Sequence, residues 1–525
     1  MQRRTLLLAS TSLLSLKAPA KPHTPAASIE LQETSAATLA QAMKIGRTTS
    51  ETLVRGYAAR IAAIDQRGPQ LNSIIERNPD ALAIAKALDA ERRAGRVRGP
   101  LHGIPVLLKD NIATADRMST SAGSLALDGV RATRDAHIVQ RLREAGAVIM
   151  GKTNLSEWAN IRSTRSTSGW SARGGLTRNP YALDRSTSGS SSGTGAAIAA
   201  NLATLGVGTE TDGSIVSPAS INGLVGLKPT LGRVSRSGII PIAHSQDTAG
   251  PMTRTVADCA LLFAAMTGAD ASDAITATTP AAQAGDGTLP ADALKGARLG
   301  VARAYFTGFD EADAVIEAAI AKLRALGATV VDDAELAPVS YGDAELNVLL
   351  YELKHDLAVW LREYAPDAQI KTLADVIAFN QKHIAREMPL FRQELFEKAQ
   401  ALGGLDSQPY LDALAECVKG ARTEGLDRAF DKHRLDALIA PTGGPAWLID
   451  PIAGDHYGAS FSTPAAVAGY PHLTVPAGFV QGLPLGLSFV GRPFSEWRLL
   501  ALGQAFEQAT RHRKAPAFVM RSVRV

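Results

Sequence analysis

Cysteine is scarce in this chain: its 525 residues include only two, Cys259 and Cys417. They are too far apart to form a CxxC metal or redox motif, and their helix-like surroundings indicate two buried thiols rather than a disulfide. The ten histidines contain no HxxxH or HExxH pair. The sequence therefore implies no metal site and no cofactor.

The chain also lacks an excess of charge of one sign. Its 55 basic and 51 acidic residues are scattered, which argues against a nucleic-acid partner. The chain is long enough to bury a large core, and its composition is that of a globular enzyme. We expect one catalytic domain over residues 30–525, acting as a monomer.

Long apolar runs are missing as well. The run Thr5 to Leu16 is shorter than the ~20 residues that span a bilayer, so no stable membrane anchor is expected. Arg3 and Arg4 precede this run and Ala18-Pro19-Ala20 follows it. This order predicts a signal peptide over residues 1–20 and export to the periplasm. The arginine pair fits a twin-arginine signal only loosely, so the export route stays open.

Short apolar runs alternate with helical patterns along most of the chain, which predicts the α/β class. Strands are expected at 102–108, 147–150, 203–208, 298–301, 328–331 and 437–440. Residues 340–432 carry helical patterns with almost no strand signal, so a helical insertion is expected there. Residues 267–290 are rich in Ala, Thr, Asp and Gly, which indicates a surface loop.

One short pattern suggests nucleotide binding. Residues 146–153, GAVIMGKT, satisfy the GxxxxGK[ST] expression of a phosphate-binding loop. Such a loop needs flexible backbone N–H groups between its glycines, whereas residues 147–150 are apolar and partly β-branched. We therefore interpret this segment as a buried strand.

A second pattern suggests a serine hydrolase of the α/β-hydrolase type. Residues 189–193, GSSSG, match the GxSxG nucleophile elbow with Ser191 at the centre, and His433, His456 or His472 would supply the base. A helix is expected after the motif. The segment before it is a polar loop and not the buried strand that an elbow requires, so this alternative is disfavoured.

A third pattern combines three segments that each have a chemical interpretation. Lys109 closes the apolar run of GIPVLLKDN, where desolvation would lower its pKa. Ser214 follows a turn-forming stretch in GTETDGSI, where successive N–H groups can surround a developing oxyanion. The Gly/Ser loop SGSSSGTGAAIAA lies between them in sequence.

Together these segments resemble the amidase signature family over about residues 35 to 515, and the set of motifs is most similar to bacterial peptide amidases. The resemblance implies a large mixed, mostly parallel central sheet with helices on both faces. It also implies a Ser-cisSer-Lys triad. The nucleophile corresponds to Ser214, the lysine to Lys109 and the bridging serine to Ser190. Ser190 precedes Ser214 by 24 residues, and this spacing favours Ser190 over Ser191 as the bridging serine.

The backbone N–H groups of Thr211, Asp212 and Gly213, with that of Ser214, are the expected oxyanion donors. This chain departs from the family at two positions: Asp212 stands where a glycine is usual, and Val216 where an arginine is usual. The first departure is tolerable because only the backbone N–H of residue 212 is needed.

The resemblance implies an amide hydrolase that converts a peptide C-terminal amide to the free acid and ammonia through an acyl-enzyme, with a short peptide or small amide as its partner. An aryl-acylamide or aliphatic-amide hydrolase is the nearest alternative. One component of a tRNA-dependent amidotransferase is a more distant alternative, against which the export signal argues. Trp158 and Tyr351 are more typical of core than of substrate contacts.

Overall fold

The centre of the molecule is an eleven-stranded sheet with the strand order β1-β3-β2-β6-β8-β7-β12-β13-β11-β9-β10. This computed structural model describes residues 29–280 and 289–521, so the predicted signal peptide lies outside the described residues. The strands are β1 Ile74–Arg77, β2 Pro105–Lys109, β3 Val148–Thr153, β4 Trp170–Ser171, β5 Gly175–Leu176, β6 Leu205–Glu210, β7 Val225–Lys228, β8 Thr248–Thr253, β9 Arg298–Val301, β10 Thr329–Val331, β11 Ala437–Pro441, β12 His472–Val480 and β13 Leu483–Val490. β4 and β5 form a separate two-stranded ribbon.

Helices cover the sheet. The α-helices are α1 Ala36–Lys44, α2 Ser50–Arg60, α3 Ala81–Arg93, α4 His137–Glu144, α5 Ser192–Ala199, α6 Val216–Ile221, α7 Val256–Met266, α8 Asp310–Ala325, α9 Gly342–Tyr364, α10 Leu373–Lys382, α11 Ile384–Glu387, α12 Glu394–Ala401, α13 Gln408–Val418, α14 Asp427–His433, α15 Ser462–Ala468 and α16 Glu496–Thr510. Two π-helical segments, Ile61–Asp65 and Lys419–Leu426, extend α2 and join α13 to α14.

The sheet is mixed, as expected. It is not mostly parallel, because more of its neighbouring strands pair antiparallel than parallel. Parallel pairing is confined to β3-β2-β6 on one side and β11-β9-β10 on the other. The strands between them pair antiparallel. One cause of this antiparallel pairing is the hairpin of β12 and β13. Its two-residue turn consists of Gln481 and Gly482, which have φ of 48° and 83°. Such a turn joins only antiparallel strands.

All six strands expected from the sequence are present, with ends shifted by a few residues. Within the described ranges, residues 342–433 contain helices and no strand. The loop expected after α7 contains a short 3₁₀ helix, Ala274–Thr278. Cys259 and Cys417 are both buried and unpaired. Among the described helices, none combines the length and apolarity needed to cross a bilayer.

The parallel neighbours β2 and β6 position the residues of interest. Both strands are buried along their whole length, because the apolar side chains of Val106, Leu108 and Val207 pack into the core. Parallel strands end at the same edge of a sheet. Lys109 at the end of β2 and the turn after Glu210 at the end of β6 therefore meet at one edge.

Candidate active site

Lys109 is completely buried and contacts the bridging serine expected from the sequence. Its Nζ lies 2.6 Å from Ser190 Oγ, 2.8 Å from Thr209 Oγ1 and 3.2 Å from Thr209 O. Burial lowers the pKa of Lys109 to about 7, although the charges of Asp247 and Glu210 favour the ammonium. The amine is therefore able to take up and release a proton near neutral pH.

Ser190 begins the turn that leads into α5. The Gly189–Ser190 peptide bond is cis, as the family resemblance implied. Ser156 N–H donates to the carbonyl oxygen of Ser190 at 3.0 Å, which fixes the turn against its neighbour. A Cβ atom at Gly189 would lie 2.2 Å from Ser156 Oγ, so this position has no room for a side chain. Close packing thus holds Ser190 Oγ toward Lys109.

Ser191, the centre of the GxSxG pattern, is placed differently. Its hydroxyl donates to Thr209 O at 3.1 Å and accepts from Thr209 N–H at 3.2 Å, and its side chain is fully buried. Of the histidines considered as its base, His472 is fully buried and lies 2.6 Å from Ser488 Oγ instead. Ser191 therefore joins α5 to β6 and is not presented as a nucleophile elbow would present it.

Ser214 lies in the turn between β6 and α6 and is 8% exposed. Its carbonyl oxygen accepts from Ser191 N–H at 3.2 Å. Its hydroxyl makes no hydrogen bond with another residue in the described part of the chain, so the structure joins Lys109 to Ser190 but leaves Ser214 Oγ unbonded. Apo sites often have long or absent catalytic hydrogen bonds of this kind.

The turn itself offers free backbone donors. Glu210 holds its far end, since its Oε2 accepts from Ile215 N–H at 2.7 Å and from Val216 N–H at 3.0 Å. Gly213 has φ of 77°, in the region that favours glycine. No acceptor among the described residues takes a hydrogen bond from the N–H groups of residues 211–214. The turn is therefore a concavity that can bind an oxyanion.

Three further polar residues support the site, and the sequence motifs did not identify them. Asn111 Nδ2 donates to Thr209 Oγ1 at 3.0 Å. Asp247 accepts from Thr211 Oγ1 at 2.5 Å and from two backbone N–H groups. Gln246 Nε2 donates to Thr211 O at 3.2 Å. Asn111 follows Lys109 closely enough in GIPVLLKDN to have been found, whereas no local pattern marks residues 246 and 247.

The segment 443–460 contacts α6 at Ser217, three residues after Ser214. Tyr457 OH lies 3.4 Å from Ser217 Oγ, and its ring packs edge-on against Trp447 at 5.3 Å. Tyr457 is 49% exposed. Trp158 and Tyr351, by contrast, are almost fully buried, which is consistent with core positions.

One sequence motif and one cluster of titratable side chains outside the site have structural explanations. Residues 148–153 of the GxxxxGK[ST] pattern form the buried strand β3, so the pattern does not make a phosphate-binding loop. His244 lies 2.8 Å from Asp356 and 3.4 Å from Glu352, a grouping that brings loop and helix residues together and that no sequence spacing could reveal. These contacts are ion pairs on the loop that leads to Asp247.

The chain is similar to known proteins over most of its length. The Amidase family model matches residues 52–500. A probable amidase of Arabidopsis thaliana is 38% identical over 98% of this chain and 97% of its own length. A glutamyl-tRNA(Gln) amidotransferase subunit of Symbiobacterium thermophilum is 36% identical over 92% of this chain and 98% of its own. The crystal structure of the native peptide amidase from Stenotrophomonas maltophilia is 51% identical, with a TM-score of 0.88 over 93% of this chain and 99% of that one.

Proposed function

The chain belongs to the Amidase family and is an amide hydrolase, and from that premise we propose that it removes the C-terminal amide of peptides. The products are the peptide acid and ammonia. Lys109, Ser190 and Ser214 are the proposed catalytic residues.

The observation that carries the proposal is the contact between Lys109 and Ser190. A buried amine with a pKa of about 7, placed 2.6 Å from a buried hydroxyl, is a general base without any histidine. Ser190 is followed in the Gly/Ser loop by Ser191, whose N–H is bonded to the carbonyl oxygen of Ser214. The two proposed catalytic serines are thereby held at one edge of the sheet.

The proposed acylation step moves two protons and forms one bond. Ser214 Oγ attacks the amide carbon as its proton passes to Ser190 Oγ, and the Ser190 proton passes to neutral Lys109. Collapse of the tetrahedral intermediate breaks the C–N bond. The leaving nitrogen takes a proton from the Lys109 ammonium through Ser190 and departs as ammonia. Water then attacks the ester through the same relay, which releases the peptide acid and restores Ser214.

The backbone N–H groups of Thr211, Asp212, Gly213 and Ser214 are the proposed oxyanion donors. They are free of acceptors in the described part of the chain, so binding the oxyanion displaces no protein hydrogen bond. Each well-placed donor contributes about 3–4 kcal/mol to transition-state stabilisation.

Two observations support a peptide as the substrate. The solved relative that is 51% identical carries the name peptide amidase and matches nearly the whole fold. The segment 443–460 also exposes an aromatic ring near the nucleophile turn: Tyr457, whose OH lies 3.4 Å from Ser217 Oγ, is 49% exposed. An exposed aromatic ring near the nucleophile suits contact with a peptide side chain.

The proposal is tested by measuring ammonia or amine release from a panel of matched substrates. The panel contains an N-acetyl dipeptide amide, the same peptide as a free acid, an anilide, a short aliphatic amide and glutamine. We expect the peptide amide to have the highest kcat/KM by at least tenfold. A preference for the anilide or the aliphatic amide would replace peptide deamidation with those activities, and glutamine alone would favour an amidotransferase-type role.

We also propose export to the periplasm and action as a monomer. The export proposal depends on Arg3, Arg4 and the apolar run that follows. Amino-terminal sequencing of the protein recovered from the periplasmic fraction tests it, because cleavage near Ala20 is expected. Recovery of the intact chain in the cytoplasm would contradict export.

A further inference from the structure

Exposed apolar side chains are concentrated around the segment 443–460. Eleven large apolar side chains are exposed in the described part of the chain. Six of them lie in this segment or in the chain that borders it, namely Phe309, Leu448, Ile452, Tyr457, Val519 and Met520. Single exposed apolar side chains are common on soluble proteins, whereas a group of them in one place is typical of a binding surface.

Backbone contacts bring these exposed residues together. The turn 182–185 pairs with Leu448 on one side and with Val519 on the other. Near the other end of the segment 443–460, a Cβ atom built on Gly458 would lie 3.9 Å from Phe309 Cε2. The six residues therefore form one apolar surface, which runs from Val519 across the segment to Phe309.

The apolar surface includes a cavity of about 400 Å³ between the start of α8 and the β12–β13 hairpin. Its apolar walls are Phe309, Ala312, Pro445, Val480 and Leu483. Its polar walls are Arg185, Asp310, Glu311 and Gln481. This volume and this mixture of apolar walls with a few polar groups are typical of a ligand pocket.

Tyr457 connects the apolar surface to the proposed catalytic serines. Ser217 Oγ lies 3.4 Å from Tyr457 OH and 2.8 Å from Ser188 Oγ. Ser217 is about one helical turn after Ser214, and Ser188 precedes Ser190 by two residues. The apolar surface therefore begins beside both catalytic serines.

An extended peptide is long enough to reach from the nucleophile to the cavity. The path crosses the side chain of Tyr457 and then Gly458, which faces Phe309. It is on the order of 20 Å long, and an extended chain rises about 3.3 Å per residue. With its C-terminal amide at Ser214, a peptide therefore brings its fifth and sixth residues, counted from the C-terminus, to the cavity.

We infer that the apolar surface binds the amino-terminal part of a longer peptide amide, an inference that rests on the peptide amidase function proposed above. The occupant is the substrate itself, because the surface is continuous with the residues that flank the nucleophile. The favoured substrates are peptide amides of about six residues with apolar side chains at the fifth and sixth positions from the C-terminus.

The test compares ammonia release from three amides. They are N-acetyl-Gly-Ala-amide, N-acetyl-Leu-Leu-Gly-Ser-Gly-Ala-amide and the same hexapeptide amide with serine in place of both leucines. We expect kcat/KM for the leucine hexapeptide to exceed that for each of the others by about tenfold or more, since burial of one leucine side chain suffices for this factor. The difference should lie in KM, because the cavity is distant from the bond that breaks.

Variants of Phe309 test whether the apolar surface causes the preference. Phe309→Ala should reduce the kcat/KM ratio of the leucine to the serine hexapeptide to less than about threefold, because it removes one wall of the cavity. Phe309→Leu keeps an apolar wall and should retain most of the ratio. Phe309 is 58% exposed, so neither change opens the core, and the ratio cancels any loss of rate common to both peptides.

Ile45→Ala is the matched control. Ile45 is 57% exposed and follows α1, outside the apolar surface. Its substitution should leave the ratio at the wild-type value. A leucine preference that Phe309→Ala removes, and that Phe309→Leu and Ile45→Ala retain, supports the inference.

The other outcomes separate this inference from the proposed function. Equal kcat/KM for the two hexapeptides with the wild type would refute the inference, while ammonia release from the dipeptide amide would leave peptide deamidation standing. A wild type that sediments as a dimer, and that Phe309→Ala converts to a monomer, would identify the surface as an interface between two copies and would also refute the inference. If none of the three amides released ammonia, the proposed function would fail and the inference with it.

Discussion

Lys109 can act as a base only when its amine is neutral. Burial lowers the pKa of this lysine to about 7, so the ammonium predominates below that pH and the amine above it. We therefore expect kcat/KM for a neutral amide to rise with pH and to level off above about 7. A pH–rate profile of the free enzyme measures this directly. A rate that is flat from pH 5 to 8 would show that this lysine does not control the reaction.

Alanine substitutions of the three serines at the site distinguish Ser214 from Ser191 as the nucleophile. Ser214→Ala should lower kcat by about 10⁴-fold or more, and Ser190→Ala by about 10²–10⁴-fold, because each removes one step of the proton relay. Ser191→Ala should keep most of the activity, with a loss of about 1 kcal/mol of stability from its hydrogen bonds to Thr209. Steady-state kinetics and circular dichroism of the three variants are the measurements.

Two outcomes of these measurements would contradict the proposal. Full activity of Ser214→Ala would exclude this residue as nucleophile. An inactive Ser191→Ala together with a fully active Ser190→Ala would favour the GxSxG elbow, with Ser191 as the nucleophile.

At the scale of elements, the sequence predicted strands where apolar residues run without interruption, as in β2, β3 and β6. It did not predict the central strands β7, β8, β12 and β13. The reason for three of them is their composition: β8 contains Gly250 and Pro251, β12 contains Pro476 and Gly478, and β13 contains Pro484 and Gly486. Proline and glycine lower strand propensity, and only the tertiary pairing compensates. Because these strands were not predicted, the antiparallel pairing at the centre of the sheet could not be predicted either.

Asp247, in the loop before β8, interacts with both the oxyanion turn and the proposed base Lys109. Its carboxylate accepts from Thr211 Oγ1, and its charge raises the pKa of Lys109. Burial raises the pKa of Asp247 to about 6, so the group is mostly charged at pH 7. Asp247→Asn should remove this charge and lower the pKa of Lys109 further, which moves the rising limb of the pH profile to lower pH. It should also reduce kcat, because the oxyanion turn loses its support.

The pH profiles of Asp247→Asn and of the control Asp431→Asn test this prediction. The side chain of Asp431 is 73% exposed and pairs with Arg492, so its loss should leave the limb in place. A limb that moves to higher pH in Asp247→Asn would contradict the electrostatic role, since removing a negative charge cannot stabilise the ammonium.

At the scale of the whole molecule, the sequence predicted the fold class, and it predicted candidate site residues of which Lys109 and Ser190 are in contact. Lys109, Ser190 and the turn of Ser214 lie in short motifs whose local chemistry can be interpreted. The contact of Glu345 with Gln246, which bonds to Thr211 O, could not be predicted, because Glu345 lies in α9, more than a hundred residues after the turn, and has no local motif. Contacts of this kind depend on how helices pack on the sheet, and periodicity does not record that packing.

Close packing at the centre of the sheet gives the last prediction. Gly250 of β8 lies between β6 and β7, and a Cβ atom there would be 2.0 Å from Leu227 O and 2.9 Å from Ile215 Cδ1. Gly250→Ala must therefore push β7 and β8 apart, at a cost of about 1–3 kcal/mol or more. Ile215 is the residue after the nucleophile, so the displacement also reaches the oxyanion turn. We expect both a lower Tm and a lower kcat.

The matched control for Gly250→Ala is Gly342→Ala at the start of α9. Nothing lies within 4 Å of a Cβ atom built on Gly342, and alanine favours helix over glycine by up to about 1 kcal/mol. Its Tm should be unchanged or slightly higher, with wild-type kcat. Thermal unfolding and kinetics of the two variants are the measurements. If Gly250→Ala matched Gly342→Ala in both, the nucleophile turn would not depend on the close approach of the central strands.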